Sequence, residues 1–163
     1  MKEKGIKIDG CDVAETSVRM AKQALENEEG IWSGEIYQYQ GEDGAYDVVY
    51  CVRASWVIPN FYRVLKKMVS MTKPGGYIIF DVMDKNSVYC RKFWLPDLKH
   101  KYYKFLGIDI DETFGHHFVS IAGMKIFLKI NGLSYQCWGE REITHNTDIQ
   151  NTPKVVFYCR KGK

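Results

Sequence analysis

The chain has 163 residues, a length that fits one domain and leaves no room for two separate cores. Hydrophobic residues make up 45% and charged residues 26%, which excludes disordered, collagen-like and coiled-coil architectures. The formal net charge is +3, with Lys and Arg scattered apart from Arg160, Lys161 and Lys163. No basic stripe marks a nucleic-acid surface, so no nucleic-acid partner is expected.

The longest apolar runs, such as Tyr77-Ile78-Ile79-Phe80, are too short to span a bilayer. Met1 to Gly5 has no apolar core of the kind that directs secretion. A cytoplasmic protein without membrane contact is expected. Five cysteines, Cys11, Cys51, Cys90, Cys137 and Cys159, include no C-x-x-C pair. They read as reduced thiols rather than as a disulfide framework or a zinc site, and no metal is expected.

Taken in chain order, Ile6 to Cys11 reads as a short strand and Ala14 to Asn27 as a helix. Val18, Ala21 and Leu25 give that helix one apolar face, and Gly30 and Gly34 lie beyond its end. Ile36 to Tyr39 alternates like an edge strand, followed by the loop Gly41 to Gly44. Tyr46 to Val52 is a continuous apolar run, expected to be a strand covered on both faces. From Asn60 to Met71, the stripe Phe61, Val64, Leu65, Met68 and Val69 predicts a helix with Asn60 as N-cap. Pro74-Gly75-Gly76 ends the helical pattern, and Tyr77 to Val82 is another buried strand.

Asn86 to Leu106 is helix-prone, broken at Pro96, and rich in aromatic residues. Ser120 is placed to cap a helix that runs to Ile130, with Asn131-Gly132 ending it in left-handed geometry. Leu133 to Trp138 and Val155 to Cys159 are the last strands, separated by the polar loop Gly139 to Pro153. Strands alternating with helices imply an α/β fold with a mostly parallel sheet. The last two strands have no helix between them, so they form an antiparallel hairpin if they are neighbours.

Four stretches together resemble the class I S-adenosylmethionine-dependent methyltransferases. Ile8 to Glu15 followed by Met20-Ala21 looks like that family's second strand, acidic end and helix. Ala45 to Val49 looks like its fourth strand, and Met71 to Ile79, with Lys73-Pro74-Gly75-Gly76, like the turn into its fifth. Phe118 to Leu133 looks like the late helix leading into the final hairpin. The resemblance runs through nearly the whole chain and implies a Rossmann-like methyltransferase sheet over residues 1–163. The family's glycine-rich loop has no counterpart, since no G-x-G occurs among the 14 glycines. That implies a fold whose first strand and N-terminal part are missing, a truncated domain. Only glycine lets the backbone come so close to a ligand.

The same resemblance suggests S-adenosylmethionine as cofactor and puts Asp12 on its ribose, with Val13 beside it. A carboxylate at the C-terminal end of a parallel strand can accept both ribose hydroxyl hydrogens. The residue-level alternative is a helix-start acid. Glu42 and Asp43 are the candidates for the adenine amino group, or else an ordinary solvated turn. Cys51 and Arg53 close the apolar strand and border the transferable methyl, with Arg53 suited to an anionic acceptor or else a rim residue. Asp47 opens that strand and reads as structural. Asp81 can line the crevice, and His116-His117 is a candidate general base or a turn before a helix. No catalytic residue follows from the sequence.

The expected function is methyl transfer to a small-molecule acceptor. The alternatives are a non-catalytic methyltransferase-fold relic or interaction module, and a nicotinamide-dependent oxidoreductase. The last is opposed by the absence of G-x-G-x-x-G and by the antiparallel ending. Without the glycine loop, cofactor binding by this chain alone is expected to be weak or absent. An unfilled strand position exposes a sheet edge, so either Ile6–Cys11 pairs directly with Tyr46–Val52, or a partner or a longer chain fills the gap; a homo-oligomer is one outcome.

Overall fold

Residues 6–26, 29–39, 42–87, 102, 105–106, 117–139 and 154–163 are described in the structure, a computed structural model. They fall into two compact units, residues 1–41 and 42–163.

In the first unit, strand β1 (Gly10–Asp12) leads into helix α1 (Glu15–Leu25) and then strand β2 (Ile31–Ser33). The two strands are parallel, with Gly10 opposite Ile31 and Asp12 opposite Ser33. A helix between parallel strands is the connection such strands require. Val18 is the buried residue of α1, as the apolar spacing predicts. The helix ends at Glu26, which is left-handed at φ 47° and donates its N–H to the last turn. The ladder is shorter than the run Ile6 to Cys11. Gly10 N–H bonds Gly30 O and Gly34 N–H bonds Asp12 O, so the two glycines bracket β2.

Ile36 to Tyr39 is not a strand. Ile36–Gln38 is a short 3-10 helix, and the partner of β1 is Ile31–Ser33. Gly34 makes the turn between them. Its φ is 146°, and a Cβ there would lie 2.5 Å from the Trp32 ring. The chain then folds back so that Tyr39 stacks on Trp32, with ring centroids 5.9 Å apart. Four residues of alternation were too few to distinguish a strand from this compact return.

The second unit is built on a four-stranded sheet. Its strands are β3 (Tyr46–Cys51), β4 (Thr72–Met83), β5 (Leu133–Gly139) and β6 (Lys154–Lys161), in spatial order β3-β4-β6-β5. β3 and β4 are parallel and joined by helix α2 (Phe61–Met71), while β6 is antiparallel to both β4 and β5. The expected mostly parallel sheet with an antiparallel C-terminal hairpin is therefore present. Direct pairing of Ile6–Cys11 with Tyr46–Val52 is not: β1 and β3 belong to different sheets.

One sheet face carries Ile78, Phe80 and Val82 of β4 with Phe157 and Cys159 of β6, all completely or nearly completely buried. α2 presents Phe61, Val64, Leu65, Met68 and Met71 to the core, and helix α3 (Ile121–Ile130) presents Met124 and Leu128. Phe61 meets Phe80 at 5.7 Å between ring centroids, and Tyr62 meets Phe127 edge-on at 5.0 Å. Ser120 caps α3 by accepting the Gly123 N–H, and Gly132 follows it at φ 71°, both as the sequence predicts.

Three expectations change. Asn60 stands at the N-cap position of α2 but is left-handed at φ 52° and makes no side-chain cap bond; its carbonyl accepts from Arg63. Pro74-Gly75-Gly76 does not separate α2 from its strand, because β4 begins at Thr72, directly after the helix. The three residues instead lie in a register break, where Tyr46 faces Thr72 and Val48 already faces Tyr77. Third, β3 is an edge strand and is not covered on both faces. Val48, Tyr50 and Val52 are exposed, because alternate residues of β3 face away from the core that α2 and α3 fill.

Candidate active site

In open α/β sheets ligands gather beyond the carboxyl ends of the parallel strands. Each unit has one such edge.

In the first unit that edge carries Asp12 and Val13, both exposed, at the end of β1. Asp12 Oδ1 accepts the Ala14 N–H at 2.8 Å, which fixes the carboxylate against the start of α1. Among the described residues Oδ2 has no hydrogen-bond partner. The helix-start reading and the ligand reading of Asp12 are thus compatible, one oxygen serving each. The preceding Cys11 thiol is pushed above its ordinary pKa by burial, with the Asp12 charge adding to it.

Glu35 is an acid at this edge that the sequence did not single out. It stands two residues past the end of β2, exposed, where the chain enters the 3-10 helix. A strand at Ile36 to Tyr39 would be followed by Glu42 and Asp43, whereas the observed strand Ile31–Ser33 is followed by Glu35. The signal that finds Glu35 is the pair of glycines at 30 and 34 bracketing Ile31-Trp32-Ser33.

In the second unit Glu42 and Asp43 are exposed in the turn that precedes β3, where Gly44 N–H bonds Ser70 O at the end of α2. They lie at the amino end of β3. Cys51 and Arg53 lie at its carboxyl end, roughly 20 Å away along a six-residue strand at about 3.3 Å per residue. The structure does not bring these two pairs together. Asp47 is also at the amino end, in an exposed ion pair with Lys73 Nζ at 2.9 Å. That agrees with its structural reading.

At the carboxyl end, Cys51 is half-buried and opposite Phe80 of β4. Arg53 is exposed and left-handed at φ 64°, and its backbone N–H donates to Asp81 Oδ1 at 2.9 Å. Asp81 is only 2% exposed. Ser55 is buried, and its Oγ has no partner among the described residues. The Trp56 carbonyl accepts the His117 N–H at 2.8 Å, and Lys154 Nζ lies 4.7 Å above the Trp56 ring. His100, His116, His145, Cys90 and the aromatic segment Val88 to Pro96 lie outside the described residues. Among the described residues no group of His, Cys, Asp and Glu is arranged to hold a metal ion.

Comparison with known proteins fits this geometry. Residues 1–80 match the family described as "Methyltransferase domain". The ubiquinone biosynthesis O-methyltransferase of Burkholderia thailandensis is 26% identical over 132 residues, covering 74% of this chain and 53% of that protein. An S-adenosylmethionine-dependent methyltransferase of Archaeoglobus fulgidus superposes over 98% of this chain and 78% of its own, with a TM-score of 0.64 and 14% identity. One from Thermotoga maritima covers 96% of this chain and 74% of its own, at 0.59 and 21%. The first 80 residues are thus similar to a methyltransferase family, and the chain shares the fold of solved S-adenosylmethionine-dependent methyltransferases.

The chain spans about half the length of the curated relative it matches. At the end of β1 the Asp12 carboxylate has one oxygen fixed and, among the described residues, no partner on the other, the kind of group a ribose hydroxyl can meet. For the methionyl end, the 163 residues contain no G-x-G. Among the described residues no helix is long and apolar enough to cross a membrane.

Proposed function

We propose that this chain forms the catalytic core of a methyltransferase that uses S-adenosylmethionine and a small-molecule acceptor. The observation that carries the reading is the Asp12 carboxylate, fixed by Ala14 at the carboxyl end of β1 with an oxygen left to accept from a ribose. Val13 stands next to it, and Glu35, past the adjacent strand, replaces Glu42 and Asp43 as the acid for the adenine amino group. Cys51 and Arg53 are assigned to the methyl-donor side.

When bound, S-adenosylmethionine supplies an electrophilic methyl group on a sulfonium. What the protein adds is orientation and exclusion of water. The curated relatives are named as O-methyltransferases, which supports an oxygen acceptor. Such an acceptor must lose a proton, and no described side chain is committed to taking it. The test is titration of the labelled protein with S-adenosylhomocysteine, followed by NMR shifts, which read even millimolar affinity. Shifts centred on Asp12, Val13 and Glu35 are expected. A titration that leaves those amides unmoved ends the proposal.

A further inference from the structure

Resting on that reading, we propose that Asp81 is a positioning residue. By accepting the Arg53 N–H it holds the loop after β3 in the left-handed step that shapes the donor side of the site. Cys51, opposite Phe80, is the last residue of the β3–β4 ladder. Two residues later the backbone of Arg53 stands at φ 64°, and the Asp81 carboxylate takes its N–H at 2.9 Å. A side chain with a Cβ resists this conformation, so the step persists only where the surroundings dictate it. A carboxylate that is 2% exposed is itself costly to bury without partners.

The rest of the loop is held as well. The His117 N–H bonds the Trp56 carbonyl, and the Lys154 ammonium covers the Trp56 ring. The segment before α3 and the first residue of β6 therefore meet the same loop that β4 anchors. Between these anchors Ser55 buries a hydroxyl that has no partner among the described residues. Buried hydroxyls are nearly always bonded, and among the described residues none bonds this one. A loop fixed in this way is a preformed wall of the proposed site.

The experiment is the same S-adenosylhomocysteine titration by NMR on four variants, with thermal melts to select a temperature at which each is folded. Asp81→Ala is expected to bind at least tenfold more weakly than the wild type, while Asp81→Asn, which keeps an acceptor oxygen, stays within threefold. Arg53→Gly and Arg53→Val both remove the guanidinium, but only glycine adopts the step freely. The glycine variant is therefore expected to bind at least tenfold more tightly than the valine variant. If Asp81→Ala fails to fold, this second pair reads the same step with the buried carboxylate intact. Wild-type binding with Asp81→Ala within threefold of it overturns the proposal, as does equal binding by the two Arg53 variants. Absence of any wild-type shift removes the methyl-donor reading and this proposal with it.

Discussion

Phe80 of β4 and Phe157 of β6 lie face to face, their ring centroids 5.1 Å apart and their planes 9° from parallel. Both are fully buried, and Phe61 of α2 closes against Phe80 from the helix side. Sheet and helix are therefore joined through one aromatic cluster. Leu65, also fully buried, belongs to the same helix face. Leu65→Ala is expected to cost about 2–5 kcal/mol and Phe157→Ala about 3–5 kcal/mol in urea denaturation. A loss under half a kcal/mol for Leu65→Ala would mean that α2 is not docked as described.

Asp12→Ala should weaken S-adenosylhomocysteine binding by about 1.5–3 kcal/mol, or roughly 10- to 150-fold, the range for hydrogen bonds to a charged group. The variant also loses the bond to Ala14 N–H, so its melting temperature should fall slightly. Affinity equal to that of the wild type would remove Asp12 from the site.

Gly76 approaches its surroundings more closely than any side chain allows. A Cβ there would stand 2.9 Å from the Asp47 carbonyl oxygen and 3.0 Å from that of Lys73. Both are backbone atoms and cannot swing away. Gly76→Ala is expected to destabilise by about 1–3 kcal/mol, measured by denaturation. Glu26 is the converse case, a non-glycine residue left-handed at the end of α1. Glu26→Gly should stabilise by about 1 kcal/mol, and a lower melting temperature in that variant would contradict the assigned cap.

The Cys159 thiol is pushed up to about 12, chiefly by burial and secondly by Cys137 beside it. In the unfolded chain the same thiol ionises near 9.0. Below that value both states hold the proton and the contribution to stability is complete. Above it the unfolded state releases the proton while the folded state keeps it, so stability falls as pH rises toward 12, by about 1.4 kcal/mol per unit at most. Denaturation at pH 8 and pH 10 should differ more for the wild type than for Cys159→Ala. A thiol reagent at pH 8 should label Cys159 only after unfolding.

The parts of the fold that could be read in advance were those in which a local pattern and the tertiary environment agree. The α2 stripe predicted a buried helix face because Phe61, Val64, Leu65 and Met68 do face the sheet, although Met71 rather than Val69 completes it. Ser120 and Gly132 bracketed α3 because a cap and a left-handed stop act within one turn. The misses depended on distant residues. Ile36 to Tyr39 alternates, yet the turn at Gly34 and the Trp32–Tyr39 stack decide its conformation, and Glu35 was overlooked with it. Tyr46 to Val52 looked buried on both faces from its apolar content, whereas the exposure of Val48 and Tyr50 follows from where the strand sits in the sheet. Asp81 looked like a lone acid because its partner Arg53 is 28 residues away in sequence.

β6 lies between β4 and β5, although both precede it in the chain. As the polypeptide leaves the ribosome, β4 and β5 have no ladder with one another and wait for a strand not yet made. Met83 must then find Lys154, and Tyr77 must find Arg160, across most of the second unit. Closing such long loops before any reward is gained is slow. During that interval the edge of β4 that will pair with β6 has no ladder partner, although α2 is already made and can cover Phe80. How long that edge stays unpaired is set by translation speed rather than by the stability of the finished sheet.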